Sequence, residues 1–471
     1  KPEDRIMDDE LFKDKDGYMI ALNGIYSELN GTSLYGRNLT VGMIDVMAQY
    51  YNCGITYHNF SLYMDYSYGQ SSYKARFENI WLGLYSLIAN CNAIIGHCGN
   101  GNSVLSDVYY NMIKGENDCL RAFFVGLRAM MHLDLLRMFG PIWSDTGKDV
   151  KCMPYMTRAD RAVEPLLTAD SVMWYIIKDL ETASSLLSVV DPVITEGAKN
   201  YDSGVGANDM NYRQYRMNYF AVNALIARAY LWSGNKEKAG EYARMVIEQV
   251  NKGSDPLFPL VDATYMGANS DRMFSPEVLF SLYNTSRKSV VYDVLFTYSL
   301  STTSILSMAG KRETGRISIT YDDENDYRYK MWESTVVNNT EVTYLTKFKD
   351  ETRTGAEAYR YMMPLIRMSE LYLIAAECET YVQKALDNYF NPLRFSRNCV
   401  NQNAIDEDAL KNLIRAEYVR EFIGEGQLFF YYKRNGLQNI PDGATVSSVK
   451  SMSLDSYVFP LPDGETSQRA N

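Results

Sequence analysis

The sequence predicts a mainly α-helical protein, in which a scaffold of tetratricopeptide-like helix pairs carries an irregular, loop-rich subdomain. Apolar residues recur at helical spacing in two segments within 212–250, and Ser233-Gly234-Asn235 between them is typical of a helix end followed by a new start. Ala227 and Tyr230 in the first segment and Ala239 in the second have the tetratricopeptide spacing, in which small residues let antiparallel helices approach closely. Two long stretches lack helical periodicity and account for the loops.

Other helices follow from the same periodicity, and several of them can pair as similar hairpins. They are predicted at 16–30, 76–97, 103–139, 169–188, 362–390 and 407–424. Ile317-Ser318-Ile319-Thr320-Tyr321 is β-branched and alternating, so it predicts a short strand.

No linker separates independent folding units, so residues 1–471 are predicted to form a single domain. Its helical scaffold covers about 16–30, 76–250 and 362–434. The loop-rich regions are about 31–75 and 255–360, and they contain many Gly, Ser, Thr, Asn, Asp and Tyr residues.

Composition excludes several classes of protein. The net charge of −11 argues against a nucleic-acid partner, which needs clustered Lys and Arg to neutralise phosphates. No run of about 18 apolar residues is present to span a membrane. The seven cysteines include no C-x-x-C pair, so they form no zinc or redox motif, although the spacing of Cys91 and Cys98 would allow a bridge across a helix end.

No catalytic or cofactor motif is present, so we expect a protein that is not an enzyme. H-E-x-x-H and G-x-S-x-G are absent, and the P-loop spacing fails between Gly140 and Gly147-Lys148. The acidic run 322–326 does not begin an EF-hand loop, because the glycine at the sixth loop position is missing. We interpret the run as a solvated turn. No cofactor is therefore expected, with a structural calcium ion as the open alternative.

The chain has an unusually large number of tyrosines, 38, and many of them cluster in the two loop-rich regions. Aromatic faces stack on the C–H side of sugar rings, while neighbouring amides and carboxylates bind the hydroxyl groups. The same surface also suits a peptide. The residues predicted to bind ligand are Tyr63, Tyr66, Tyr68, Tyr73, Tyr292, Tyr327, Tyr329 and Trp332. For any single one of them, loop packing is the alternative.

Two C-terminal segments carry charges at fixed positions beside apolar helix faces. These charges predict ion pairs between helices, because an unpaired buried charge is costly. The residues assigned to such structural pairs are Arg367, Glu370, Glu377, Glu421 and Arg434.

Together the segments Leu365–Glu377 and Glu417–Gln427 resemble the C-terminal signature of the SusD/RagB family. Further landmarks occur in the family's order: Trp81-x-x-Leu84-Tyr85, Arg121-Ala122-Phe123, Phe139-Gly140-Pro141 and Glu277-Val278-Leu279-Phe280. The chain departs from the family's pattern at Tyr418, Gln427 and Tyr432.

The resemblance implies a surface-exposed outer-membrane lipoprotein of Bacteroidetes that serves polysaccharide utilisation. Such a protein captures an oligosaccharide and delivers it to a TonB-dependent, SusC-like transporter. The resemblance also implies an N-terminal lipid anchor, absent from this sequence, as the sole membrane attachment, and a ligand site built from the two loop-rich regions. Peptide capture for the same kind of transporter is one alternative, and a helical-repeat scaffold for protein interactions is another.

Overall fold

The helical scaffold dominates the computed structural model, which describes residues 11–12, 15–98, 116–160, 162–199 and 211–469. The helices of seven or more residues are α1 Lys15–Leu29, α2 Ser71–His97, α3 Glu116–Phe139, α4 Ala169–Val190, α5 Tyr219–Trp232, α6 Lys236–Val250, α7 Met368–Cys378, α8 Glu407–Glu421, α9 Leu428–Arg434 and α10 Asp463–Arg469. The predicted helix start at 103 lies outside the described residues.

Short helices fill the connections between these elements. They are Met43–Met47, Ser61–Met64, Val193–Glu196, Ala263–Ala268, Asp293–Leu295, Arg316–Thr320, Glu357–Arg360, Val382–Ala385 and Asn391–Ser396, with 3₁₀ turns at Gly147–Asp149, Arg213–Tyr215, Ser275–Glu277, Tyr329–Met331 and Leu454–Tyr457 and π-turns at Lys288–Tyr292 and Leu386–Phe390.

The helix pair α5–α6 forms as the sequence predicts. The side chain of Asn218 accepts a hydrogen bond from the first turn of α5, and that of Asn235 does the same for α6, so both helix starts are capped. Helix α3 packs between α2 and α4, α4 packs on α5, and α6 packs between α5 and α7. Small residues allow the last contact: a Cβ added to Gly240 would lie 2.9 Å from Cβ of Cys378.

Nine short strands form four antiparallel sheets in the described residues. They are β1 Lys151–Met153, β2 Leu167–Thr168, β3 Val278–Tyr283, β4 Ser307–Met308, β5 Trp332–Val337, β6 Thr340–Leu345, β7 Met362–Arg367, β8 Asn439–Pro441 and β9 Val449–Ser451. The pairings are β1–β2, β3–β7, β4–β6–β5 and β8–β9. In the second sheet Val278 lies opposite Arg367, and Tyr283 lies opposite Met362.

Two predictions of local structure were wrong. Residues 362–367 form strand β7 rather than the start of a helix, because β3 offers them a buried antiparallel partner. Arg316–Thr320 is a short helix rather than a strand, and it packs against α8.

One hydrophobic cluster extends from Tyr18 in α1 to Phe459 near the C-terminus. Among the described residues, no helix is both long enough and apolar enough to cross a membrane. The cysteines whose side chains are described are free thiols, Cys91 and Cys98 included, which corrects the suggested bridge.

Buried charges pair where the C-terminal elements meet. The Arg367 guanidinium contacts Glu277 at 2.9 Å, Glu421 at 2.5 Å and Glu425 at 2.8 Å. Arg397 contacts Glu277 and Glu421 as well, at 2.5 and 2.6 Å. Burial alone would raise the pKa of Glu421, but the surrounding arginines hold it well below its ordinary value. The charges are therefore neutralised inside the protein.

The other predicted ion-pair residues are also paired. Arg228 in α5 binds Glu370 in α7 with two hydrogen bonds of 2.7 and 2.6 Å. Arg434 binds Glu377 in the same bidentate manner, at 2.7 and 2.8 Å. These pairs fix how the C-terminal helices lie on the scaffold.

Candidate functional site

The acidic run 322–326 is engaged by arginines. Asp322 lies 3.1 Å from Arg394 and 3.2 Å from Arg420, and Asp326 lies 2.7 Å from Arg328. Within the described ranges, no group of three or more His, Cys, Asp or Glu side chains is arranged to hold a metal ion. The turn thus joins the ion-pair network, and a structural calcium ion stays a prediction.

Five of the eight residues predicted to bind ligand are buried. They are Tyr63, Tyr73, Tyr292, Tyr329 and Trp332. The ring centroids of Tyr63 and Tyr73 lie 4.0 Å apart. The indole N–H of Trp332 donates a hydrogen bond to the hydroxyl of Tyr321. These rings support the loops from beneath and offer no binding surface in this structure, which corrects the expectation drawn from the sequence.

The remaining three, Tyr66, Tyr68 and Tyr327, are half-buried. The hydroxyl of Tyr66 donates to the backbone oxygen of Met47 at 2.6 Å, and that of Tyr68 to Ser456 at 2.5 Å. The hydroxyl groups of Tyr66 and Tyr68 are therefore used within the protein, and all three residues remain partly exposed. Ligand contact by these three stays a prediction.

The two loop-rich regions meet in what we call the loop junction, formed by residues 52–60 and 297–307. The backbone N–H of Asn52 donates to Ser307 O at 2.7 Å, and that of Asn59 donates to Thr303 O at 2.9 Å. The side-chain amide of Asn59 donates to the hydroxyl of Ser304 at 3.2 Å. Two stretches more than 200 residues apart in the chain thus form one surface.

His58 holds the junction from inside. Its Nδ1 accepts from the N–H of Phe60 at 3.2 Å, so the proton lies on Nε2, which donates to Ile305 O at 3.2 Å. Burial lowers the pKa of His58, and this outweighs the bond to Ile305 that acts in the other direction. The imidazole is therefore neutral at pH 7, as this pair of bonds requires.

Two aromatic rings project from the loop junction into solvent. Tyr57 is 89% exposed and Tyr298 is 66% exposed. The backbone of Tyr57 has φ +63°, a left-handed conformation that costs a non-glycine residue about 1–3 kcal/mol. Such strain concentrates at functional sites. An exposed ring on a strained loop is a candidate platform for a ligand.

A separate, concave feature, the cleft, lies between α1, the turn Arg213–Tyr215 and the end of β3. Its volume is about 980 Å³. Its principal lining side chains are Asn23, Asn30, Tyr212, Tyr215, Tyr283 and Asn284. None of its lining residues belongs to the loop junction.

Sequence reasoning did not single out the two strongly exposed aromatic residues of the loop junction. Tyr57 and Tyr298 belong to the clusters that the composition singled out, but spacing in a loop does not indicate which ring faces solvent. One signal in the sequence indicated the cleft: Asn23 and Tyr26 share a face of α1, and Asn30, directly after the helix, continues the spacing of three and four residues.

Comparison with known proteins gives the family. A sequence profile of the SusD family matches residues 198–470, more than half of the chain. The chain therefore belongs to the SusD family, and the resemblance seen in its C-terminal segments is confirmed. No match was found among curated proteins.

Solved structures share the fold over nearly the whole chain. A SusD superfamily protein from Bacteroides thetaiotaomicron VPI-5482 has a TM-score of 0.71 at 21% identity, over 97% of this chain and 98% of that one. A SusD-like carbohydrate binding protein from Bacteroides vulgatus ATCC 8482 has a TM-score of 0.70 at 18% identity, over 97% and 96%.

The surface glycan-binding protein A from Bacteroides thetaiotaomicron, solved in complex with laminarihexaose, has a TM-score of 0.66 at 16% identity, over 96% and 97%. At these identities the likeness establishes the fold. It confirms the predicted tetratricopeptide-like helical class.

Proposed function

We propose that this protein captures an oligosaccharide at its loop junction without breaking a covalent bond in it. The observation that carries the proposal is the pair of exposed rings, Tyr57 and Tyr298, on two loops that hydrogen bonds hold together. Exposed tyrosine rings present a large area to sugar rings at low entropic cost, because a tyrosine side chain has only two rotatable bonds to order. The structural relative solved with laminarihexaose supports a saccharide as the ligand.

Polar groups beside the rings suit the hydroxyl groups of a sugar. On the second loop, the hydroxyl of Ser301 lies within hydrogen-bond distance of the hydroxyls of Thr303 and Ser304, at 3.0 and 3.1 Å. Hydroxyl side chains both donate and accept, so they can exchange these bonds for bonds to a ligand. Many weak contacts of this kind give moderate affinity and allow release.

Membership of the SusD family supports the rest of the proposal. The protein acts as a lipid-anchored lid on the outer face of the outer membrane and passes its ligand to a TonB-dependent transporter. In this function no group of the protein has a catalytic role. Isolation of the tagged, lipid-anchored protein from its host's outer membrane in mild detergent tests the partnership: we expect a β-barrel transporter as stoichiometric partner, and recovery of the protein alone would contradict it.

The test of capture is isothermal titration calorimetry with neutral hexasaccharides, laminarihexaose among them, and with a mixed peptide digest. Replacing Tyr57 by Ala should weaken saccharide binding by about 1–2 kcal/mol, roughly 5- to 30-fold in Kd, because a stacking face is lost. Tyr57→Phe should retain most of the affinity, since the ring remains.

Tyr381→Ala is the matched control, because Tyr381 is also a mostly exposed tyrosine but lies outside the loop junction. Equal affinity in the Tyr57→Ala and control variants would place the ligand elsewhere. Heat from the peptides alone would assign the protein to peptide capture instead of saccharide capture.

A further inference from the structure

We propose that the cleft between α1 and the end of β3 is a second binding site, for an uncharged oligosaccharide segment. The chemical class of the ligand rests on the proposed function, whereas the position of the site rests on the cleft itself. A volume of about 980 Å³ is at the upper end of the range of about 300–1,000 Å³ typical of ligand pockets.

One wall of the cleft is aromatic. Tyr283 is 47% exposed. Its ring packs in T-shaped geometry against the rings of Tyr215 and Tyr361, with centroid distances of 5.1 and 5.2 Å. The hydroxyl of Tyr215 donates to the backbone oxygen of Ala358 at 2.9 Å, which fixes the group. The half-exposed ring of Tyr283 is thus held rigidly and offers a stacking face.

Tyr212 adds a second ring to the cleft. It is 36% exposed, and its backbone has φ +52°, the same left-handed conformation that Tyr57 adopts in the loop junction. This conformation costs about 1–3 kcal/mol and persists only where the surrounding structure enforces it. The surrounding structure therefore holds Tyr212 in place at the cleft.

Two amide side chains of the wall have unmet hydrogen-bonding capacity. The Asn30 amide donates to the backbone oxygen of Tyr283 at 3.0 Å, but its Oδ1 has no partner among the described residues. Asn284 is only 5% exposed. Its Oδ1 accepts a hydrogen bond from the backbone N–H of Ser286, while its Nδ2 has no partner among the described residues.

An unpaired buried polar group costs about 1–3 kcal/mol. The wall therefore combines a vacant acceptor on Asn30 with a vacant donor on Asn284, close to the ring of Tyr283. Hydroxyl groups, which donate and accept at once, match this combination. A ligand rich in hydroxyl groups would satisfy both atoms, after a small rotation of the amides, and stack on the ring.

The charges of the cleft favour a neutral ligand. Among its lining residues are one basic side chain, Arg216, and one acidic side chain, Glu357. The guanidinium of Arg216 donates to Oδ1 of Asn23 at 3.3 Å, which ties it to the wall. Opposite single charges give no net attraction for an anionic or a cationic ligand.

The experiment is calorimetry with four neutral hexasaccharides: laminarihexaose, maltohexaose, cellohexaose and xylohexaose. Four forms of the protein are compared: wild type, a loop-junction variant (Tyr57→Ala with Tyr298→Ala), a cleft variant (Tyr283→Ala with Asn284→Asp), and the combination of all four substitutions. Thermal unfolding of each variant verifies that it is folded, and Asn284→Asp retains the acceptor for Ser286 while removing the donor.

We expect binding to persist in the loop-junction variant. In the cleft variant, the binding event assigned to the cleft should weaken at least 5-fold, while the one assigned to the loop junction remains. In the combination, both should disappear. Binding that the loop-junction variant alone abolishes, unaffected by the cleft variant, would overturn the second site and leave the proposed function intact. Binding that is lost in the cleft variant but unchanged in the loop-junction variant would support the cleft and overturn the loop junction as the site of capture. Absence of heat from all four saccharides at millimolar concentration would overturn both.

Discussion

Glu417 gives a quantitative test of the buried ion-pair network. Its carboxylate is fully buried and lies 2.6 Å from Arg328, 3.1 Å from Arg394 and 2.9 Å from Arg420. Burial would raise the pKa of Glu417, but these arginines lower it to about 2, from an ordinary value of 4.5. Glu417→Gln retains the shape of the side chain and removes the charge.

The expected cost follows from the difference in pKa between the unfolded and folded states. A pKa of about 2 in the folded protein, against 4.5 in the unfolded chain, corresponds to about 3 kcal/mol of stability at pH 7. Because the folded pKa is lower than the unfolded one, this stability is complete above about pH 5 and is lost as the pH falls toward 2. The difference between wild type and variant should therefore shrink to about 1.4 kcal/mol at pH 3.

Differential scanning calorimetry at pH 7 and pH 3 measures the difference in stability between wild type and variant as a difference in Tm. With an unfolding entropy of about 2.1 cal/mol/K per residue, the whole chain gives about 1 kcal/mol/K. Glu417→Gln should thus lower Tm by about 3 °C at pH 7 and by less than half of that at pH 3. Glu324→Gln, an exposed counterpart, should change Tm by less than 1 °C. An equal loss of Tm at both pH values would refute the electrostatic reasoning.

Three further predictions concern stability and thiol chemistry. Arg228→Ala should cost about 3–5 kcal/mol by leaving Glu370 buried and unpaired, whereas Arg228→Met with Glu370→Leu should cost far less; denaturation with urea compares them, and equal losses would contradict the explanation. Gly426→Ala should lower stability by more than about 2 kcal/mol in the same assay, because φ is +69° and an added Cβ would overlap a backbone oxygen; an unchanged midpoint would contradict this. Burial raises the pKa of Cys91 and Cys98 to about 12, so a thiol reagent at pH 8 should label them only after unfolding, and rapid labelling of the native protein would contradict their burial.

The candidate sites show where reasoning from the sequence ends. Composition placed tyrosines in both loop-rich regions, and the structure does join those regions through Asn52 and Asn59. It did not distinguish Trp332, which packs inside, from Tyr298, which projects outward. In a helix or strand the period indicates the exposed face, but an irregular loop has no period to indicate it.

Local sequence determined the elements whose own residues specify them. The α5–α6 pair follows from its apolar spacing, its small residues and its capping Asn235. That Arg367 is paired follows from the cost of an unpaired charge inside the protein, whereas the identity of its partners depends on the tertiary structure. The same local signals identified the family. They act over one or two helical turns, so the sequence displays them directly.

Tertiary structure alone decided features that depend on distant partners. Residues 362–367 became a strand because β3, about 80 residues earlier, is available to pair with them. The cleft exists because α1 lies beside β3, and the loop junction exists because Asn59 meets Thr303, more than 200 residues later in the chain. The energy of such contacts comes from groups far apart in the chain, and no local pattern of residues records which of them will meet.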